Sequence, residues 1–174
     1  MTSDPALLTK AFVTFVRPIL ENGTTVFCPF MKQDIVSLER VQKCFTRRVC
    51  KRANITYHDY FDRLRLLKLK SLEYRRVYLD LCLLYKLYYE HITVSFKDFF
   101  QPVSFTYTTR VSCRNSCQLK PLFNVKTKTL NNLFFFRVIN VWNSLSDYIV
   151  RAPSFLAFKQ RLKKVDLYKF CVYK

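Results

Sequence analysis

The sequence predicts a mainly α-helical fold: a helical bundle with a small irregular or β-hairpin connector and two C-terminal helices. Three observations carry this. The 174 residues include one glycine, Gly23, and sheet-rich folds need many turns with positive φ. Half of the residues are hydrophobic and 17% are aromatic, so the chain can bury a core and offset its ordering entropy. Apolar residues recur at helical spacing through most of the chain. Over 101–131 they give way to Thr, Ser, Asn and Cys, with alternation around Val103-Ser104-Phe105-Thr106-Tyr107. That change divides the chain into a helical bundle over 1–100 and a connector with C-terminal helices over 101–174.

The elements follow in order. Asp4-Pro5 is an N-cap followed by proline at the first helical position, and Leu8, Phe12, Phe15, Val16 and Ile19 continue the helical spacing. Pro18 should kink or stop this helix, and Asn22-Gly23 ends it. Asp34 is the expected cap of a second helix reaching about Lys51. Ile35, Leu38, Val41, Phe45 and Val49 fall on one side of it, and Arg40, Lys43, Arg47 and Lys51 on the other. Asn54-Ile55-Thr56 interrupts the pattern before a short helix over about Tyr57 to Leu67. Ser71 caps a fourth helix to about Tyr89, apolar on most sides and so expected to be central and buried, with Arg76 placed to pair with Asp80. Helical spacing resumes from Phe134 to Leu145, and Ser154 caps a last helix with Lys159, Arg161, Lys163 and Lys164 around its outer side.

Charge narrows the function. There are 30 Lys+Arg against 12 Asp+Glu, a net charge of +18. Self-repulsion of that size is usually compensated by nucleic acid, with an anionic membrane as second candidate. The basic residues form helix faces: Arg40, Lys43, Arg47 and Lys51 first, then Arg63, Arg65, Lys68 and Lys70. Such faces follow a phosphate backbone without reading sequence. Tyr57, Tyr60 and Phe61 interleave with them and could stack on bases, but aromatics at helical spacing more often pack in a core. No apolar run approaches the roughly 18 residues of a membrane span, so no membrane partner is expected. Seven scattered cysteines and a start without a basic n-region fit a reduced intracellular setting, nucleus or cytoplasm, rather than secretion.

Catalytic material is scarce. His58 and His91 are the only histidines, the carboxylates are spread singly, and one glycine cannot build a phosphate-binding P-loop. Cys113 and Cys117 form half a zinc site at most. The chain alone is therefore expected to be no enzyme, with no metal and no cofactor of its own.

The order of segments resembles one family. SDPALLTKAFVTFVRPILENGTTVFCPF followed by DIVSLERVQKCFTRRVC, then RLRLLKLKSLEYRRVYLDLCLLYKL, then FFFRVINVWNSLSDYIVRAPSFLAFKQRLKK, is similar to the region after the polymerase palm in reverse transcriptases of LINE-type, non-LTR retrotransposons. The likeness covers nearly the whole chain, although Asn22, Phe27, Val111 and Ser146 depart from the family pattern. It implies a helical thumb with a connector, part of an RNA-directed DNA polymerase whose palm, fingers and Mg²⁺-holding paired aspartates lie outside this chain. The implied partners are template–primer nucleic acid, RNA or an RNA–DNA hybrid, and the missing palm and fingers. Arg40, Lys43, Arg47 and Lys51 are then the expected phosphate contacts, with Arg63, Arg65 and Lys68 as a second line. Trp142 is expected to anchor its helix in the core, and Asn143 to satisfy backbone groups at that helix's end. Arg137 and Arg110 either touch nucleic acid or pair with a carboxylate such as Asp147, and the structural role is favoured. The alternative function is a stand-alone helical protein-interaction module with no nucleic-acid role.

Overall fold

The structure, a computed structural model, describes residues 4–26, 28–103, 116–122 and 132–173. The fold is mainly helical with a small two-stranded antiparallel sheet. It divides into two compact units, Met1–Arg76 with Cys171–Lys174, and Val77–Phe170. The division falls inside a helix, whereas the sequence texture changes near residue 100.

In the first unit, Asp4 caps α1 (Pro5–Ala11) by accepting the Ala6 N–H at 2.9 Å. The helix passes through a π-turn, Phe12–Val16, into α2 (Arg17–Leu20). Pro18 has no N–H for the carbonyl one turn back, and its ring would clash there. The wider turn just before it accommodates both problems, so the helix continues to Leu20 instead of stopping at the proline. A π-turn adds one residue, which rotates everything beyond it by about 100°. Phe12 is buried and stacks on Phe45 at 4.2 Å. Phe15 and Ile19, expected on the same inner face, are instead 72% and 75% exposed.

Helix α3 runs from Lys32 to Arg52, capped by Met31, with Asp34 in its first turn rather than at the cap. There its negative charge still opposes the positive end of the helix dipole. Helix α4 (Tyr60–Leu66) begins later than predicted because Asp59 is its N-cap, accepting the Asp62 N–H at 2.7 Å. Helix α5 (Leu72–Tyr88) starts at Ser71, whose hydroxyl accepts the Tyr74 N–H at 3.2 Å. Val49, Cys50, Tyr60, Leu64, Leu67 and Leu69 form the core of this unit, with Leu8, Val13, Phe45 and Phe61 packed around them.

Three helices end without glycine. Asn54, Lys68 and Glu90 take φ of 52°, 54° and 54°. After each, the next N–H reaches back to the last turn: Ile55 to Cys50 O at 3.0 Å, Leu69 to Leu64 O at 2.8 Å, His91 to Lys86 O at 2.8 Å. These are Schellman ends, normally built on glycine. In two of them an apolar pair closes the motif, Ile55 near Cys50 and Leu69 near Leu64.

In the second unit, β1 (Phe100–Pro102) pairs antiparallel with β2 (Leu119–Pro121), Gln101 opposite Lys120. Most of the predicted alternation, 104–107, lies outside the described residues. Helices α6 (Phe134–Asn143), α7 (Asp147–Val150) and α8 (Phe155–Leu162) follow. The short α7 is not apparent in the sequence pattern. Ser154 caps α8 through the Ala157 N–H at 3.2 Å. Leu81, Leu84, Tyr85, Trp142, Val150, Phe158 and Leu162 are buried, and Tyr85 stacks on Phe158 at 4.3 Å.

Candidate nucleic-acid interface

The inner face of α3 is polar at its centre. Ile35, Glu39, Gln42, Thr46, Val49 and Cys50 are buried, a stripe at 3.6-residue spacing. Of the predicted apolar face, Val41 is 42% exposed and Leu38 and Phe45 are only half-buried. Buried polar groups need partners, and here they have them. Glu39 accepts the Tyr60 hydroxyl at 2.6 Å and the Glu73 N–H at 2.9 Å. A carboxylate from α3 thus caps the N-terminus of α5, where the helix dipole favours it. Burial pushes the Glu39 carboxyl up from the ordinary value of 4.5, while the bonds from Tyr60 and Glu73 and the charge of Arg76 act against this. Gln42 donates to Tyr60 Oη and to the Lys70 carbonyl, both at 3.0 Å.

Two of the predicted phosphate contacts lie on this inner side. Arg63 is buried: its Nε donates to Thr46 Oγ1 at 3.3 Å, its Nη1 donates to the Asp59 carbonyl at 3.3 Å, and its guanidinium lies 4.6 Å from the Tyr57 ring centroid. Lys43 is half-buried. It donates to the Tyr173 hydroxyl and sits over the rings of Tyr173 and Tyr60 at 4.5 Å and 5.2 Å. Both cations belong to an aromatic cluster of Tyr57, Tyr60, Phe61 and Tyr173. Cation–π contacts and hydrogen bonds hold them inward. The reason is rotational: the buried stripe centres near Gln42, which turns Lys43 toward the core.

The outer face keeps Arg40, Arg47 and Lys51, all exposed, and adds Arg48 and Arg52. None of the five has an ion-pair partner among the described residues. Arg40, Arg47, Arg48 and Lys51 fall within an arc of about 100°, and Arg40 to Lys51 spans about 16 Å along the axis. Arg65 is exposed, 3.9 Å from Asp62, and Lys68 is exposed at the left-handed end of α4. Where α3 ends, Arg47, Cys50, Lys51, Asn54, Ile55, Thr56 and Tyr57 line a groove of about 640 Å³.

The residues assigned structural roles lie in the second unit. Trp142 is fully buried, and its Nε1 donates to the Cys117 carbonyl at 2.9 Å. Asn143 satisfies backbone groups of the strand β2. Its Oδ1 accepts the Leu119 N–H at 2.9 Å and its Nδ2 donates to the Leu119 carbonyl at 2.8 Å. Arg137 pairs with Asp80 in two parallel bonds, Nε at 2.7 Å and Nη2 at 3.0 Å. Asp80 therefore has a partner from another helix, 57 residues along the chain. Asp147 accepts from Ser116 instead of Arg137, and these bonds hold its carboxyl below the ordinary range. Arg110 and Cys113 lie outside the described residues. In the last helix, Arg161 donates to the Tyr148 carbonyl and lies 3.9 Å from that ring's centroid.

Among the described residues, no cluster of three or more His, Cys, Asp or Glu could hold a metal, and no helix is long and apolar enough to cross a membrane. Fold and site together define a class: a basic, mainly helical protein whose longest helix is anchored by a buried polar face and presents a cationic one. No family model matches the chain, and no solved structure matches it. Over 72 residues, 41% of this chain, it is 35% identical to an uncharacterized protein of Caenorhabditis elegans. The matched stretch spans 36% of that protein's length.

Proposed function

We propose that the first unit holds a nucleic-acid backbone through the outer face of α3, with Arg40, Arg47, Arg48 and Lys51 as phosphate contacts. The observation that carries this is the separation of the cations on one helix. Lys43 turns inward into an aromatic cluster while four neighbours, unpaired among the described residues, line the opposite side. A stripe of about 16 Å along α3 is long enough to meet several phosphates of a duplex. The resemblance to the thumb of non-LTR reverse transcriptases supports template–primer, an RNA–DNA hybrid, as the ligand. In that reading the chain contributes grip, and an RNA-directed DNA polymerase palm carries the Mg²⁺ chemistry.

Four phosphate contacts predict a salt slope of about −3.6 in log K against log[salt]. Fluorescence anisotropy with a hybrid duplex of random sequence, titrated at several NaCl concentrations, measures it. A slope near zero, or affinity no greater than that of a size-matched basic control protein, overturns the reading.

A second reading, a helical protein-interaction module, has one observation in its favour: Phe15, Ile19 and Val26 are 72%, 75% and 85% exposed. Heparin retention no stronger than that of the control would favour it.

A further inference from the structure

The groove at the end of α3 differs from the rest of the cationic face because it joins charge to an aromatic wall. Arg47 and Lys51 supply two cations, Tyr57 and Ile55 supply ring and aliphatic surface, and Asn54 and Thr56 supply an amide and a hydroxyl. Its volume of about 640 Å³ lies within the roughly 300–1,000 Å³ of small-ligand sites.

The wall formed by Asn54, Ile55 and Tyr57 is held in place. Asn54 is fixed in the left-handed region at φ 52°, and the Ile55 N–H is bonded to Cys50 O at 3.0 Å. The Arg63 guanidinium lies on the Tyr57 ring at 4.6 Å and is itself tied to Thr46 and Asp59. Tyr57 is thus kept in one orientation, and little side-chain entropy remains to be lost on binding.

We propose that this groove receives one unstacked nucleotide that continues the strand held by α3, its base lying against Tyr57 and Ile55 beside the phosphate contacts Arg47 and Lys51. Cations beside a partly exposed ring match single-strand sites, which combine charge with stacking platforms. The ligand class is therefore a duplex carrying a single-stranded extension. The inference rests on the outer face of α3 holding the duplex.

The test compares three ligands by anisotropy at one salt concentration: a blunt RNA–DNA hybrid, the same hybrid with a short single-stranded overhang, and one whose overhang is abasic. The overhang should raise affinity about tenfold, the abasic overhang should lose most of that gain, and Tyr57→Ala should abolish it while leaving blunt binding unchanged. Because Tyr57 also supports Arg63, a second variant, Thr56→Trp, fills the groove from an exposed position and should abolish the gain as well. Blunt and overhang ligands binding within twofold of each other, or an abasic overhang matching the intact one, overturns this proposal alone. Absence of binding to the blunt hybrid overturns the duplex reading and this proposal with it.

Discussion

At the scale of single residues, Glu39 ties α3 to Tyr60 of α4 and to the N-terminus of α5. Its burial raises its carboxyl above 4.5, so the folded state holds that proton more tightly than the unfolded chain. Stability contributed by the protonated form is present below about 4.5 and is lost as pH rises through the raised folded value. Glu39→Gln removes this dependence. The stability difference, variant minus parent, should grow from pH 4.5 toward neutrality in urea titrations, and a difference that stays flat or shrinks contradicts the assignment. Asn143 is the corresponding residue of the second unit. Asn143→Ala leaves the Leu119 N–H and carbonyl unpaired and should cost about 2 kcal/mol, with early loss of Leu119 amide protection in hydrogen exchange. Neither role is visible in the sequence. Glu39 stands in a basic run and scores as surface, and the Asn143 partner lies 24 residues away.

At the scale of elements, most helix starts were legible because caps are local. Asp4, Ser71 and Ser154 each accept an N–H of the first turn. The ends were harder, since left-handed ends are usually read from glycine and here Asn54, Lys68 and Glu90 hold them. A side chain with positive φ costs about 1 kcal/mol relative to glycine. Glu90→Gly should therefore raise stability by about 0.5–1 kcal/mol, seen as a higher melting temperature; a lower one would mean that Glu90 makes a compensating contact. Faces were legible only in part. The π-turn before Pro18 shifts the phase of Ile19 beyond it, and the polar stripe of α3 displaces Val41. In both cases periodicity was right and phase was wrong, because phase depends on partners that hydropathy does not see.

At the scale of the whole molecule, a net charge of +18 acts on folding and on binding with opposite signs. Raising NaCl from 50 to 500 mM shortens the screening length from about 14 Å to about 4 Å. Self-repulsion is relieved, so the melting temperature should rise, while affinity for an RNA–DNA hybrid should fall. If both fall together, ion pairs rather than repulsion dominate the fold. Fold class and the location of the basic helix were legible from composition and spacing. The assignment of cations to the inner or outer side of that helix was not, because aromatic partners such as Tyr60 and Tyr173 fix it.

The role of the outer face of α3 in holding phosphates is tested most directly by comparing two variants matched in charge. One reverses the outer cations, Arg40→Glu, Arg47→Glu and Lys51→Glu. The other reverses cations of the C-terminal helix segment in the second unit, Lys159→Glu, Lys163→Glu and Lys164→Glu. Both change net charge by the same amount, so only position differs. The outer variant should flatten the salt slope for hybrid binding by about 2.7, at 0.9 per lost phosphate contact, and the second should leave it within one contact of the parent. Equal loss in both, or an unchanged slope in the outer variant, contradicts the account.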